Sequence, residues 1–147
     1  MPIRVYNSLT QKKVPFKPLR KGKVGIYVCG ITAYDACHLG HARAAVSFDV
    51  IVRWLQASGL EVTYVRNYTD IDDKIIKRSQ ETNTPWKALT EKYIAEYRED
   101  MRRLNVETPA VEPKATEHIP QMVEAIRKLI DAGRAYEVGG SIYYSVR

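Results

Sequence analysis

Val24-Gly25-Ile26-Tyr27-Val28-Cys29, closed by Gly30, is a run of β-branched and aromatic residues with a glycine behind it. It reads as a strand. Because it is mostly apolar rather than alternating, it is expected to be buried on both faces of a parallel sheet. The period then changes. Over residues 42–58, Ala45, Phe48, Ile51, Val52 and Leu55 recur at helical spacing, and Gly59 supplies a stop that takes the left-handed conformation at little cost. Residues 61–68, rich in Val, Tyr and Thr, return to strand. Strand, helix, strand is a βαβ unit with a right-handed crossover, so the predicted fold class is α/β with a parallel sheet.

Upstream, Asn7-Ser8, Pro15, Pro18 and Lys21-Gly22 mix turn formers with basic residues. A short strand over residues 4–6 is predicted there, and loop after it. Downstream, residues 72–81 continue as a helix. Thr84-Pro85 then reads as an N-cap followed by proline at the first helical position. The helix it opens carries Trp86, Leu89, Tyr93, Tyr97, Met101 and Leu104 as its apolar stripe. Residues 105–113 form a linker with two prolines. A further helix over residues 116–132 is expected to turn Ile119, Val123, Ile126 and Ile130 inward and to stop at Gly133. Gly139-Gly140 between two β-rich runs signals a hairpin over residues 135–146.

At 147 residues the chain is long enough for one compact domain and short for two. With 45% hydrophobic and 27% charged residues it is neither a disordered chain nor a collagen-like repeat. No apolar run approaches the roughly 20 residues that span a bilayer, and the first residues lack a secretory pattern, so no membrane association is expected. The cysteines, Cys29 and Cys37, are too few for a disulfide framework and suit reduced thiols in the cytoplasm. The net charge of +6 favours an anionic partner, a nucleotide or a nucleic acid, although many soluble domains carry as much.

In a parallel α/β sheet ligands collect beyond the carboxyl ends of the strands, which is where Cys29 to His41 falls. A helix N-terminus attracts phosphate through free backbone N–H groups, and His38 and His41 add donors. Gly40 between them would let a flat base lie against the backbone. The other reading is that both histidines are ordinary capping or surface residues. A metal site from Cys37, His38 and His41 is a third option, although the spacing matches no usual structural zinc motif. No Gly-x-Gly-x-x-Gly or Gly-Lys-Ser/Thr loop is present. Cys29 reads either as a small core hydrophobe or as one ligand of a soft metal. Asp70, Asp72 and Asp73 could bind a hard cation, but aspartate at a strand-to-helix turn is more simply an N-cap, and Thr69 falls near the ligand crevice.

Together, Tyr27-Val28-Cys29-Gly30-Ile31-Thr32, the tetrad His38-Leu39-Gly40-His41 and residues 67–76, Asn67-Tyr68-Thr69-Asp70-Ile71-Asp72-Asp73-Lys74-Ile75-Ile76, closely resemble the N-terminal part of bacterial cysteinyl-tRNA synthetases. The resemblance extends through Glu112-Pro113-Lys114-Ala115-Thr116-Glu117-His118-Ile119 and the closing hairpin. It implies the first half of a class I synthetase Rossmann-like (HUP-type) domain over residues 1–81, with a helical extension and the start of a connective insertion over 82–147. It implies ATP, with Mg2+, and L-cysteine as substrates, tRNA(Cys) as acceptor, and a part in protein biosynthesis. The tetrad resembles the family's first ATP motif, with Leu39 where isoleucine is usual. His38, Gly40 and His41 would then hold ATP and stabilise charge at the α-phosphate, by electrostatic positioning rather than proton transfer. Cys29 corresponds to the first zinc ligand, and zinc would select the cysteine thiolate over serine. Gly30, Thr32, Asn67 and Thr69 correspond to substrate-binding positions.

The family's other zinc ligands and its lysine-rich second ATP loop have no match in this sequence, and His118 does not resemble the missing histidine. The expectation is therefore an N-terminal portion of the enzyme that associates with a missing second half and alone has little or no aminoacylation activity. Two rivals stand beside it. One is the mycothiol-pathway ligase, which makes the same adenylate but passes cysteine to an amino sugar; Asp72-Asp73-Lys74-Ile75-Ile76 favours the synthetase. The other is a non-catalytic, synthetase-derived nucleotide-binding module.

Overall fold

A computed structural model describes residues 3–146. β1 (Arg4–Asn7) and β2 (Lys12–Pro15) form an antiparallel hairpin with Arg4 opposite Pro15. The second strand corrects the loop expected after residue 6. The turn is set by the Asn7 side chain, which accepts the Leu9 N–H at 2.9 Å, and by Gln11 at φ 53°. Lys12 and Lys13 are exposed, so the strand carries no apolar signature to read.

β3 (Lys23–Val28), α1 (Leu39–Ala57) and β4 (Glu61–Arg66) form the βαβ unit, the strands parallel with Lys23 opposite Glu61 and Val28 opposite Arg66. Gly59, at φ 82°, ends the helix as its N–H donates to the Gln56 carbonyl. β3 is covered on one side only: Val24 is buried while Tyr27 is 66% exposed. This corrects the expectation of two buried faces. On α1 the buried residues are Ala45, Asp49, Val52 and Leu55, and Ile51 turns outward. Ile51, Val50 and Trp54 instead wall an apolar groove of about 690 Å³ beside Ile26 and Tyr27.

α2 (Asp73–Glu81) is capped by Asp72, which accepts the Lys74 N–H at 2.9 Å. α3 (Trp86–Arg103) has Pro85 itself as the N-cap and no side-chain cap, because proline carries no side-chain acceptor; the Thr84 hydroxyl, expected as the cap, donates to the Thr82 carbonyl. Its buried stripe is Leu89, Thr90, Ile94, Tyr97 and Met101, while Leu104 lies past the helix and is 49% exposed. The core joins this stripe to the βαβ unit: Ile94, Tyr97, Met101 and Val106 pack with Ile31, Ala33, Ala45 and Tyr68.

Residues 105–113, expected as a linker, run along the free edge of β4. Val111 and Lys114 bridge Val65 and Tyr68 in parallel. The Arg66 N–H donates to the Val111 carbonyl at 3.1 Å and the Tyr68 N–H to that of Pro113 at 2.9 Å. Proline has no N–H to give a ladder, but here only its carbonyl is needed. Asp49 pins the start of this segment by accepting the Glu107 N–H at 2.8 Å while holding Arg53 at 2.7 Å.

A 3₁₀ turn (Ala115–His118) leads into α4 (Ile119–Asp131), followed by the hairpin of β5 (Ala135–Val138) and β6 (Ser141–Tyr144). Gly139 and Gly140 both take positive φ, the two-residue turn that the twist of paired strands favours. Ile119, Val123, Ile126 and Ile130 are each 36–46% exposed, which corrects their expected inward placement. Periodicity shows that a helix has an apolar side; it does not supply the surface that covers it. No helix among the described residues is long and apolar enough to cross a membrane.

Replacing Asp49 by alanine leaves the Glu107 N–H and the Arg53 guanidinium without their acceptor. We expect Asp49→Ala to lower the unfolding free energy by about 2–3 kcal/mol, read from urea denaturation of the full-length protein. An unchanged midpoint would show that this tie does not hold the β4 edge in place.

Candidate functional site

The two parallel strands do not part where their regular pairing ends. The Gly30 N–H donates to the Asn67 side-chain oxygen at 2.9 Å, and beyond it the Thr69 N–H reaches the Ile31 carbonyl at 2.9 Å and the Ala33 N–H the Thr69 carbonyl at 3.2 Å. Gly30 is required by this closeness: a Cβ there would fall 1.5 Å from the Asn67 carbonyl oxygen. Thr32 pairs directly with Thr69. Alternation buries Ile31, Ala33 and Tyr68 in the core and leaves Thr32 and Thr69 half-buried at the carboxyl edge of the sheet. Gly30, Thr32, Asn67 and Thr69 are thus brought to one place, with Asn67 holding the backbone there.

The histidine tetrad forms the first turn of α1, three residues earlier than periodicity suggested. His38 is the N-cap. Its Nδ1 accepts the Gly40 N–H at 3.1 Å, and His41 Nδ1 accepts the His38 N–H at 3.2 Å, a reciprocal capping box. The rings stack with centroids 4.0 Å apart. Since both Nδ1 atoms accept, each neutral ring carries its proton on Nε2, leaving two N–H donors beyond the cap. Burial, then the neighbouring His38, holds His41 below the ordinary imidazole pKa and favours that neutral form. The His41 and Ala42 N–H groups are taken by the His38 carbonyl, so fewer backbone donors are free than the sequence suggested. Gly40 has its own constraint: a Cβ would lie 2.8 Å from the His38 ring.

Cys29 is exposed just past β3. Cys37 points elsewhere, its Sγ donating to Asp100 at 3.0 Å, which ties the loop before the tetrad to α3. Burial, the hydrogen bond and the Asp100 charge push this thiol up to about 11. With Cys37 bound to Asp100 and both Nδ1 atoms bound to backbone, the Cys37–His38–His41 metal option has no converging donors. No group of three or more His, Cys, Asp or Glu side chains among the described residues could hold a metal ion. Zinc at Cys29 therefore does not fit the described residues alone, because such a site needs three or four protein ligands. Two of the three aspartates are also committed: Asp72 caps α2, and buried Asp70 accepts from the Thr116 N–H at 3.0 Å and hydroxyl at 2.6 Å.

Sequence reading missed Arg66. It is 4% exposed, lies 5.2 Å from the Tyr97 ring centroid and 5.8 Å from that of Tyr64, and walls a small cavity with Cys29, Gly30 and His41. The available signal was alternation, since Tyr64, Arg66 and Tyr68 must share one face of the strand.

Two outcomes follow from this geometry. Gly30→Ala is expected to destabilise the full-length protein by about 3 kcal/mol or more, because backbone must move to admit one methyl group; a melting temperature equal to wild type would contradict the clasp. Alkylation of Cys37 by iodoacetamide, mapped by peptide mass spectrometry, is expected to rise with a midpoint near pH 11 rather than the ordinary thiol value of 9.0. A midpoint at the ordinary value would remove the Asp100 tie.

Comparison with known proteins bears on what this site is. A family model described as tRNA synthetases class I (C) catalytic domain matches residues 15–147. Among curated relatives, the cysteine–tRNA ligase of Geobacter sp. (strain M21) is 55% identical over 146 residues, covering 99% of this chain and 30% of the relative. That of Thermodesulfovibrio yellowstonii is 53% identical over 148 residues, covering 98% and 30%, and that of Stutzerimonas stutzeri 55% over 147 residues, covering 99% and 32%. The chain thus spans about 30% of the length of these relatives. A solved structure of Mycobacterium tuberculosis methionyl-tRNA synthetase in complex with methionyl-adenylate superimposes with a TM-score of 0.67 at 22% identity, over 76% of this chain and 23% of that one, a likeness of fold. The chain belongs to the class I (C) tRNA synthetase catalytic-domain family.

Proposed function

We propose that this chain supplies part of the active site of a cytoplasmic cysteine–tRNA ligase, which activates L-cysteine with ATP and Mg2+ and passes it to tRNA(Cys). The observation that carries the reading is that Gly30 shares a cavity with His41 of the histidine-capped start of α1, at the end of the parallel strand pair that Thr32 and Thr69 extend. The relatives' shared name gives the substrate class.

In this reading the cysteine carboxylate attacks the α-phosphorus of ATP. A carboxylate oxygen–phosphorus bond forms, the bond to the β-phosphate bridging oxygen breaks, and pyrophosphate leaves. His38 and His41 donate from Nε2 to phosphate oxygens as charge develops there. Their cap fixes the donors in advance, so little reorganisation is needed at the moment of reaction. The uncompensated N-terminal dipole of α1, with no acidic residue in its first turn, favours the same charge. Gly30, Thr32 and Thr69 seat the amino acid. In the second step a terminal ribose hydroxyl of tRNA attacks the carbonyl carbon, the bond to phosphate breaks and AMP leaves. Zinc, when bound in the whole enzyme, would supply a soft centre for a thiolate, with Cys29 as one of its donors; no step here is routed through it. Partners beyond these substrates would include the remainder of the polypeptide, against the uncovered side of β3.

The full-length protein is expected to catalyse ATP–pyrophosphate exchange that depends on cysteine and is not supported by serine. His38→Asn keeps an N-cap acceptor but loses the Nε2 donor, so it is expected to retain stability while exchange falls by about a hundredfold. Exchange without dependence on cysteine would refute the assignment, and a fully active His38→Asn variant would refute the role of the histidine.

A further inference from the structure

The side chain least accounted for by the fold is Arg66. A guanidinium carries donors that lie in its own plane and keeps its charge inside the protein. Here Nε and Nη1 are buried without a hydrogen-bond partner, and so is the hydroxyl of adjacent Tyr64. The rings of Tyr64 and Tyr97, at 5.8 and 5.2 Å, attract the cation but do not satisfy its in-plane N–H groups. No carboxylate among the described residues forms a salt bridge with it; Glu112 is taken by Arg98, at 2.8 Å, and by Tyr68. Leaving such a group unpaired is costly, which is why buried cations are found paired.

The cavity it walls has a volume of about 60 Å³ and is bounded also by Cys29, Gly30, His41, Ala45 and Tyr97. The Arg66 stem lies against Gly30, its Cγ 3.4 Å from where a Cβ would sit. The stem is therefore beside the strand end, and at 4% exposure the side chain is not out on the surface; Arg66 also walls a second cavity with Arg98, Glu107 and Glu112. The space of about 60 Å³ beside Gly30 accepts the few atoms of a carboxylate.

We propose that Arg66 binds the carboxylate of the amino acid, holding it through in-plane guanidinium N–H groups beside Gly30 and His41. The proposal rests on the reading of the protein as an amino-acid-activating enzyme and adds a binding residue to it. Such a contact orients the carboxylate that must attack ATP, and it gives the site a means of requiring an α-amino acid rather than an amine.

Calorimetric titration of the full-length protein with L-cysteine and with cysteamine, which lacks the carboxylate, tests this. Wild type is expected to bind cysteine about tenfold or more tightly than cysteamine. In Arg66→Gln that preference is expected to collapse, with ATP affinity retained, and Arg66→Lys should recover part of it. If Arg66→Gln does not fold, Arg66→Lys carries the comparison: it must show a reduced cysteine-to-cysteamine ratio, because a point charge does not reproduce the planar fork. An unchanged ratio in the folded variant would mean that water satisfies Arg66, and would overturn the proposal. A ratio that stands while ATP affinity falls would assign the anion to phosphate and overturn it equally. If wild type binds no cysteine at all, the functional reading fails, and this inference with it.

Discussion

Everything at this site depends on one close approach. Gly30 lies so near Asn67 that any side chain would strike the backbone, and the Asn67 amide oxygen locks the Gly30 N–H in return. That clasp carries the parallel pairing past the ends of β3 and β4, so that Thr32 and Thr69 pair at the sheet's carboxyl edge while Ile31, Ala33 and Tyr68 pack in the core. Without it the two segments would be independent loops, each with backbone groups to satisfy alone. The segment along the other edge of β4 completes the arrangement through Val111 and Lys114, and Asp49 and Asp70 tie down its two ends.

The histidine pair shows how a structural and a functional reading can describe the same atoms. As a cap, the pair ends α1 with Nδ1 acceptors and needs no ligand. The tautomer imposed by that cap is the one that leaves Nε2–H free to donate, which is the donor that the proposed function requires. In the proposed function, capping and phosphate binding use opposite edges of the same rings. The neutral state favoured at His41 fits a donor whose task is positioning, since protonating Nδ1 would break the cap.

Legibility in the sequence followed the range of the forces involved. Local signals were read well: the change of period between β3, α1 and β4, the stops at Gly59, Gly133 and Gly139-Gly140, and Asp72 as a cap all depend on neighbours within a turn or two. What failed depends on distant partners. Lys12 and Lys13 hide a strand that exists because Arg4 to Asn7 pair with it. Residues 105–113 look like a linker because their hydrogen bonds are made across the sheet edge to residues some forty positions earlier. Ile119, Val123, Ile126 and Ile130 have the spacing of a buried face, yet remain exposed among the described residues. For the site, the motif residues stand out in the sequence as candidates, but Asn67 gripping Gly30, and Arg66 between two tyrosine rings, are consequences of packing.

The central claim is that one crevice seats an aminoacyl group at Gly30, Thr32 and Thr69 while the capped turn of α1 holds the phosphate of its adenylate. The most direct test is a crystal structure of the full-length protein with a non-hydrolysable sulfamoyl analogue of cysteinyl-adenylate. The account predicts the aminoacyl moiety against the Gly30–Asn67 clasp and the sulfamoyl group within hydrogen-bonding distance of a histidine Nε2. An analogue bound away from these residues, with the histidine cap untouched, would contradict it.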